Sequence, residues 1–353
     1  MAAGSKGKSL PSSTQLPDGA ADLATSIVLI TRDQAWNVDA AIEVAIAELK
    51  TCDGGEVIVV DSASSDGTLE RAARHPVGLV ELGDDQVLTP ALGRWLGGRL
   101  ARGEAVLFLD GDMQLVPGWL GCARRVLNDA DDVGCVSGAV LYGDEPHQPS
   151  QGEPAHRDIP WFGGAALIRR AALERAGTFN PVLRSEEESE LSTRIRAAGY
   201  RIVLLDRPIA AHPASDRNPV REVLLRRRRG LYLGFGQVLK LHARASSRSE
   251  YLQGRAFWIP PALAVAGAAL AVAAARRSRS ALPLAGAGSL AALVGALQIK
   301  RKGGLAPAVF GLMSRVAILE GTVRGITLPA TSPSAFAPSF RVHRHPPHIA
   351  ARA

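Results

Sequence analysis

Ala105-Val106-Leu107-Phe108-Leu109-Asp110-Gly111-Asp112 sets an unbroken apolar run against two carboxylates one residue apart. Five apolar residues in succession leave no polar face, the pattern of a strand buried on both sides in a mostly parallel sheet. Loops at the carboxyl ends of such strands are where open α/β sheets bind ligands. Asp110 and Asp112 repel one another unless a cation or hydrogen-bond donors balance them. The simplest partner is a hard divalent ion, Mg²⁺ or Mn²⁺, bridging to a phosphate. A solvated surface turn is the competing reading of Asp-x-Asp alone, and the buried strand before it weighs against that.

The same pattern recurs on the N-terminal side. Ser26–Thr31 is a first apolar run, and Glu56–Val60 is a second that ends at Asp61. Between them, residues 38–50 place Val38, Ala41, Ile42, Ala45, Ile46 and Leu49 at helical spacing. Ser62–Gly67 reads as a turn, 68–74 as a helix, 77–82 as a strand and 89–102 as a helix. Strands alternating with helices predict βαβ units, parallel pairing and right-handed crossovers. Further on, 134–141 reads as a strand, 143–160 as a polar, Pro-rich loop and 162–168 as a strand beside the Asp110 site. Residues 186–198 read as a helix ended by Gly199, and 201–205 as the last strand.

The bulk properties narrow the partners. The chain has 353 residues, a formal charge of +7 and only 5% aromatic residues. A basic balance suits nucleic acid, anionic lipid or phosphorylated ligands. Sparse aromatics argue against a base-stacking surface, so no nucleic-acid partner is expected. Cys52, Cys122 and Cys135 have no paired spacing, which excludes a zinc knuckle or disulfide framework and fits a reducing compartment. Residues 1–24 read as a disordered lead-in and 25–215 as the α/β domain. Residues 216–255 read as a basic amphipathic or interfacial linker. Its run Arg226–Arg229 sits among leucines, suited to anionic membrane lipids or a phosphate clamp. Residues 256–327 read as membrane-associated helices, because 256–275 and 281–299 carry no charge and are long enough to span a bilayer. The competing reading of that segment is a buried helical hairpin. Residues 328–353, rich in Pro, Ser and His, read as a disordered tail.

Four segments, in order, resemble a family 2 glycosyltransferase of the GT-A fold over about residues 24–215. They are Val59–Thr68 with Asp66-Gly67-Thr68, Ala101–Asp112, Phe162–Arg170, and Glu187–Tyr200. The resemblance implies a Rossmann-like mixed sheet flanked by helices and a nucleotide-diphosphate-sugar donor. It also implies a bacterial enzyme that inverts the anomeric centre, using Mg²⁺ or Mn²⁺ at Asp112 with Asp110 and His212 at the metal or ribose. Asp61 would accept from the base, Asp66 would lie near the nucleoside, and Thr31, Arg32, Arg94, Gly163 and Gly164 would line the donor side. For Asp66, a helix N-cap is a second reading of the residues alone, and both can hold. Arg94 is equally readable as a solvent-facing arginine, and His212 as a surface histidine before a turn.

The resemblance places the general base at Glu188, in a Glu187-Glu188 pair where the family has Glu-Asp. Ser185–Glu188 also fits a capping box, and in that reading Glu187 is the base candidate. Glu190 and Arg194 read as an i,i+4 helix pair. The apolar C-terminal segment favours a lipid-linked or cell-envelope glycan acceptor. A cytosolic donor places the catalytic domain on the cytoplasmic face of a bacterial inner membrane. Two alternatives stand beside this one. A haloacid-dehalogenase-like phosphatase would use Asp110 as nucleophile, although Gln114 stands where that class wants Thr or Val. An inactive membrane-tethered nucleotide-binding scaffold would have no need of the intact acidic positions.

Overall fold

The computed structural model describes residues 24–143, 154–212, 219–243, 245, 247–254, 259–280, 282, 305–328 and 336–352. The lead-in up to residue 23 and most of the polar loop at 144–153 lie outside that set, as does the apolar stretch 281–299 apart from Leu282. The chain divides into two units, 1–215 with 330–353, and 216–329.

The first unit is built on β1 (Thr25–Thr31), α1 (Val38–Thr51), β2 (Gly55–Asp61), α2 (Thr68–Ala72), β3 (Gly78–Leu82), α3 (Pro90–Leu100), β4 (Ala105–Asp110) and β5 (Gln114–Leu115). It continues through α4 (Trp119–Asp129), β6 (Val133–Tyr142), β7 (His156–Asp158), β8 (Ala166–Arg169), α5 (Arg170–Ala176), α6 (Glu187–Ala197) and β9 (Arg201–His212). The strands form one sheet in the order β10-β3-β2-β1-β4-β8-β6-β9-β5, with β7 beside β9 and β10 at Phe340–Arg344. β1 pairs parallel with β2 and β4, whereas β8 runs antiparallel to β4. The chain steps outward from β1 to β3 and then returns to the other side of β1. A crevice therefore opens at the carboxyl ends of β1 and β4.

Alternate side chains of each central strand enter opposite cores. Ile27, Leu29, Leu107 and Leu109 pack with α1 and α4, while Val28, Val106 and Phe108 pack with α3 and α6. This explains why those strands read as apolar throughout. α3 lies unusually close to the sheet: a Cβ on Gly97 would sit 2.3 Å from Val28 Cγ1. That approach carries Arg94, one turn earlier, to the end of β4.

Four local expectations are corrected. The tail is ordered where it is described: β10 adds antiparallel to β3, His343 Nε2 lies 2.8 Å from Glu81, and the Ile349 and Gly55 backbones bridge. The alternation Phe340-Arg341-Val342-His343 puts its apolar residues inward, and an open sheet edge supplies the partner. The strand expected over 162–168 begins only at Ala166, and the polar loop contains β7. β9 runs on to His212, well past the 205 expected.

In the second unit lie α7 (Pro219–Arg228), α8 (Leu233–His242), α9 (Arg248–Gly254), α10 (Ile259–Ser278) and α11 (Leu305–Thr327). α8 and α11 touch backbone to backbone, and a Cβ on Gly325 would meet Leu233 O at 2.1 Å. Two of the four clustered arginines are engaged within this unit: Arg226 with Glu222, and Arg227 with Glu320, each at 2.7 Å. Among the described residues no helix is long and apolar enough to cross a membrane, so the span expected from 256–275 is not supported. α10 is Ala- and Gly-rich with Arg276 and Arg277 in its last turn, and α11 carries Arg315, Glu320 and Arg324.

Candidate active site

The turn Asp110–Asp112 is fixed from below by the backbone and from the side by one amide. The Gly111 N–H donates to Ile30 O at 2.8 Å. Asn37 Nδ2 donates to Gly111 O at 2.9 Å and Met113 O at 3.3 Å, and Asn37 Oδ1 accepts from Gln114 Nε2 at 2.7 Å. Asn37 stands at the N-cap position of α1, yet it makes no side-chain cap bond. Its role depends on a turn far along the chain, so no local signal reveals it.

Asp112 meets His212 because the short β5 pairs with the end of the long β9. β5 follows the acidic turn and runs antiparallel to β9, with Gln114 opposite Ala211. This leaves His212 Nε2 at 3.1 Å from Asp112 Oδ2, with the imidazole buried and the carboxylate partly open. The Tyr142 ring lies 5.6 Å from the His212 ring. Among the described residues no group of three or more His, Cys, Asp or Glu side chains is arranged to hold a metal. The pair offers one carboxylate and one imidazole, a partial shell that needs further oxygen ligands. Such a shell suits an ion that is completed by water and phosphate.

Asp110, expected at the ribose or the metal, bonds Arg94 through Oδ1. Arg94 is 2% exposed. One of its terminal nitrogens donates to Glu187 Oε1 at 2.5 Å. The other donates to Asp110 Oδ1 at 2.7 Å and lies 3.2 Å from Glu188 Oε1. The reading of Arg94 as solvent-facing is thus corrected: it is a buried hub for three carboxylates. The Phe179 ring lies 5.7 Å from its guanidinium. Gly164 completes the wall, since a Cβ there would stand 3.1 Å from Asp110 Oδ2.

One guanidinium against three carboxylates leaves the cluster short of positive charge. Burial pushes the Asp110 carboxyl up to about 6, with Arg94 opposing and Glu188 and Asp112 adding to the push. Burial, then the neighbouring Glu188, also raises Glu187 well above the ordinary carboxylate range, against the pull of Arg94. Arg94 itself is held more firmly protonated than usual: burial works against its charge, but Asp110, Glu188 and Glu187 outweigh it.

Glu187 and Glu188 separate by exposure. The Glu187 side chain is 5% exposed and bonded to Arg94, whereas Glu188 is 22% exposed. The capping box is not formed as expected. The N-cap of α6 is Glu186, at φ 67°, with no side-chain cap bond. Glu190 does pair with Arg194, at 2.6 Å.

Buried Asp61 ends β2. Its Oδ1 accepts from Thr31 Oγ1 at 2.8 Å and Ser64 Oγ at 2.6 Å, and its Oδ2 from the Ser64 N–H at 2.8 Å. A carboxylate has about four acceptor positions, so one on Oδ2 is left for a ligand donor. Asp66 is not an N-cap, because Gly67 holds that position in α2. It accepts from the Ala35 N–H at 2.9 Å and the Thr68 N–H at 3.1 Å, tying the loop after β1 to the loop after β2. Burial, the largest single influence, raises Asp66, but the hydrogen bonds from Thr68 and the Ala35 N–H together lower it. Arg32 is exposed on the first of those loops. Gly163 has open space where a side chain would project.

Residues 26–185 match the family described as Glycosyl transferase family 2. Among solved structures, the chain is similar to the mannosyltransferase PcManGT from Pyrobaculum calidifontis in complex with GDP-Man and Mn²⁺. The identity is 22%, the TM-score 0.60, and the match covers 88% of this chain and 90% of that one. It is also similar to S. aureus TarS in complex with UDP-GlcNAc, at 14% identity and TM-score 0.47, over 66% of this chain and 79% of that one. No curated protein matches the chain by sequence. The first likeness shows the fold, and the matched family covers β1 through the loop before α6, including Asp61, Asp66 and the Asp110–Asp112 turn. Residues 26–185 thus match the glycosyl transferase family 2 model, and the chain is a glycosyltransferase.

Proposed function

We propose that this glycosyltransferase moves a sugar from a nucleotide diphosphate to an acceptor hydroxyl with inversion, using a divalent ion held by Asp112 and His212. The observation that carries the reading is the Asp112–His212 contact of 3.1 Å at the carboxyl end of β4. It sits beside a cluster with more carboxylates than cations. A bound Mn²⁺ or Mg²⁺ would supply charge neutralisation to the departing diphosphate. A nitrogen ligand suits Mn²⁺ better than Mg²⁺. The Mn²⁺ and GDP-Man bound to the Pyrobaculum enzyme are consistent with that choice and make GDP-mannose the first donor to test.

In this reading Asp61 and Asp66 hold the nucleoside end, and Thr31 keeps Asp61 in place. Arg32, exposed on its loop, is positioned to meet donor charge. Glu188 takes the proton of the acceptor hydroxyl as its oxygen attacks the anomeric carbon. The bond from that carbon to the diphosphate oxygen breaks on the opposite side. Glu188 is the choice over Glu187 because a base must reach the acceptor, and Glu187 is enclosed and bonded to Arg94. Asp110 remains with Arg94 and shapes the donor wall together with Gly163 and Gly164.

The acceptor in this reading is a cell-envelope or lipid-linked glycan. The apolar, arginine-flanked sequence after residue 216 supports it. The donor class supports a cytoplasmic setting for the domain in a bacterial cell. Calorimetry of the full chain with GDP-mannose, UDP-N-acetylglucosamine and a dTDP-sugar, with Mn²⁺ or EDTA, tests the reading. Binding of one donor that EDTA abolishes supports it. Binding of none, or binding indifferent to EDTA, contradicts it.

A further inference from the structure

Arg94 belongs to neither end of the reaction as proposed, yet it touches both. It sits on α3, whose start is set by Pro90 and by Thr89 Oγ1 accepting the Leu92 N–H at 3.1 Å. Its side chain is 2% exposed, so its position is set by packing rather than by solvent. One terminal nitrogen is locked on Glu187, deep in the protein. The other serves Asp110 on the donor side and Glu188 on the acceptor side, and it reaches Gly164 O at 3.4 Å. A planar guanidinium is the one side chain that can present fixed donors to three carboxylates at once.

We infer that Arg94 is a positioning residue that locks the base Glu188 to the donor wall through Asp110, so that acceptor deprotonation is aligned with the bound donor. This rests on the function proposed above. Glu188 is partly open and stands on the first turn of α6, which begins at a left-handed Glu186. Among the contacts described, the nitrogen shared with Asp110 is what ties its carboxylate to β4. A carboxylate on a helix end has several rotamers, and only one faces the anomeric carbon. Fixing that rotamer raises turnover without changing donor affinity.

The test is a cycle of Arg94→Lys, Glu188→Gln and the double variant in the full chain. It measures transfer turnover, donor KM, donor Kd and Tm. Lysine keeps a buried charge for Glu187 but is a point charge without the planar fork. We expect Arg94→Lys to lower kcat by about ten- to a hundredfold while donor Kd changes by less than about threefold. In the Glu188→Gln background the same change should cost less than about threefold, because there the lock has no base to hold. Should Arg94→Lys fail to fold, Arg94→Gln with Glu187→Gln removes both members of the enclosed pair. It should show the same kcat loss, and that loss should likewise shrink to less than about threefold in the Glu188→Gln background.

Equal losses in the wild-type and Glu188→Gln backgrounds would overturn the inference, as would a donor Kd weakened in step with kcat/KM. The second result would return Arg94 to a direct donor role. The wild-type chain serves as the internal control. If it transfers no sugar from any donor tested, the proposed function fails before this inference is reached. If it does transfer sugar, the cycle judges Arg94 alone.

Discussion

Glu187 and Glu188 are neighbours with the same chemistry, and replacing each by glutamine should separate catalysis from stability. In the proposed mechanism Glu188→Gln removes the proton acceptor and should lower transfer by about a hundred- to ten-thousandfold, the usual worth of a general base. Its side chain is 22% exposed and its nearest cation is 3.2 Å away, so we expect a stability change within about 0.5 kcal/mol. Glu187→Gln acts elsewhere. Its carboxylate is 5% exposed and bonds Arg94 at 2.5 Å, so glutamine replaces a buried charge-assisted bond by a neutral one. Such a bond is worth about 1.5–3 kcal/mol. Arg94 keeps Asp110 and Glu188, and burial already disfavours the Glu187 charge, which brings the expected loss nearer about 1 kcal/mol. For a domain of this size that lowers Tm by about 2–4 °C. Nucleotide release in the presence of acceptor reads the first effect, scanning calorimetry the second, and donor calorimetry should show both variants binding. The reasoning is refuted if Glu187→Gln loses more turnover than Glu188→Gln while melting like wild type.

Other consequences follow from the same geometry. Asp112→Asn should abolish the Mn²⁺ requirement together with transfer, a loss on the order of a thousandfold, while the fold survives; turnover near wild type would remove Asp112 from the metal. His212→Ala should weaken Mn²⁺ binding by about ten- to a hundredfold, and unchanged affinity would leave His212 as a packing residue under Tyr142. Asp110 has its folded pKa raised to about 6, so its neutral form is favoured and its contribution is present at pH 4 and lost as pH rises through 6. The metal-free chain should therefore melt lower at pH 7.5 than at pH 5, by an amount worth about 1–2 kcal/mol after solvent screening, and Mn²⁺ should restore more stability at the higher pH. A flat melting profile between those pH values would contradict this. Ending the chain at residue 335 removes β10 and reopens the β3 edge, which should lower Tm by about 5 °C or more and promote association between copies; unchanged melting would make the added strand incidental.

The parts of this fold legible in sequence are those whose cause is local. β1, β2 and β4 are apolar on both faces because α1 and α4 cover one side and α3 and α6 the other, and that requirement is written residue by residue. Asp61, Asp110 and Asp112 were readable for the same reason, as polar residues that stop such runs. What escaped depends on partners distant in the chain. Arg94 sits among helix residues of ordinary composition, and nothing nearby shows that Asp110, Glu187 and Glu188 will close on it. Asn37 imitates a helix cap. The tail between Phe340 and Arg344 alternates like a strand, but its Pro- and His-rich flanks hide this, and its partner β3 lies more than two hundred residues earlier. The capping box failed because Glu186 takes a positive φ and starts the helix one residue later than Ser185 would allow.

The central claim is metal-dependent transfer with inversion at the carboxyl end of β4. The most direct measurement is proton NMR of the glycoside formed from an α-linked nucleotide sugar, with acceptor, Mn²⁺ and the full chain, repeated in EDTA. The account predicts a β-linked product released together with the nucleoside diphosphate, and no product in EDTA. An α-linked product, or equal yield in EDTA, would contradict it.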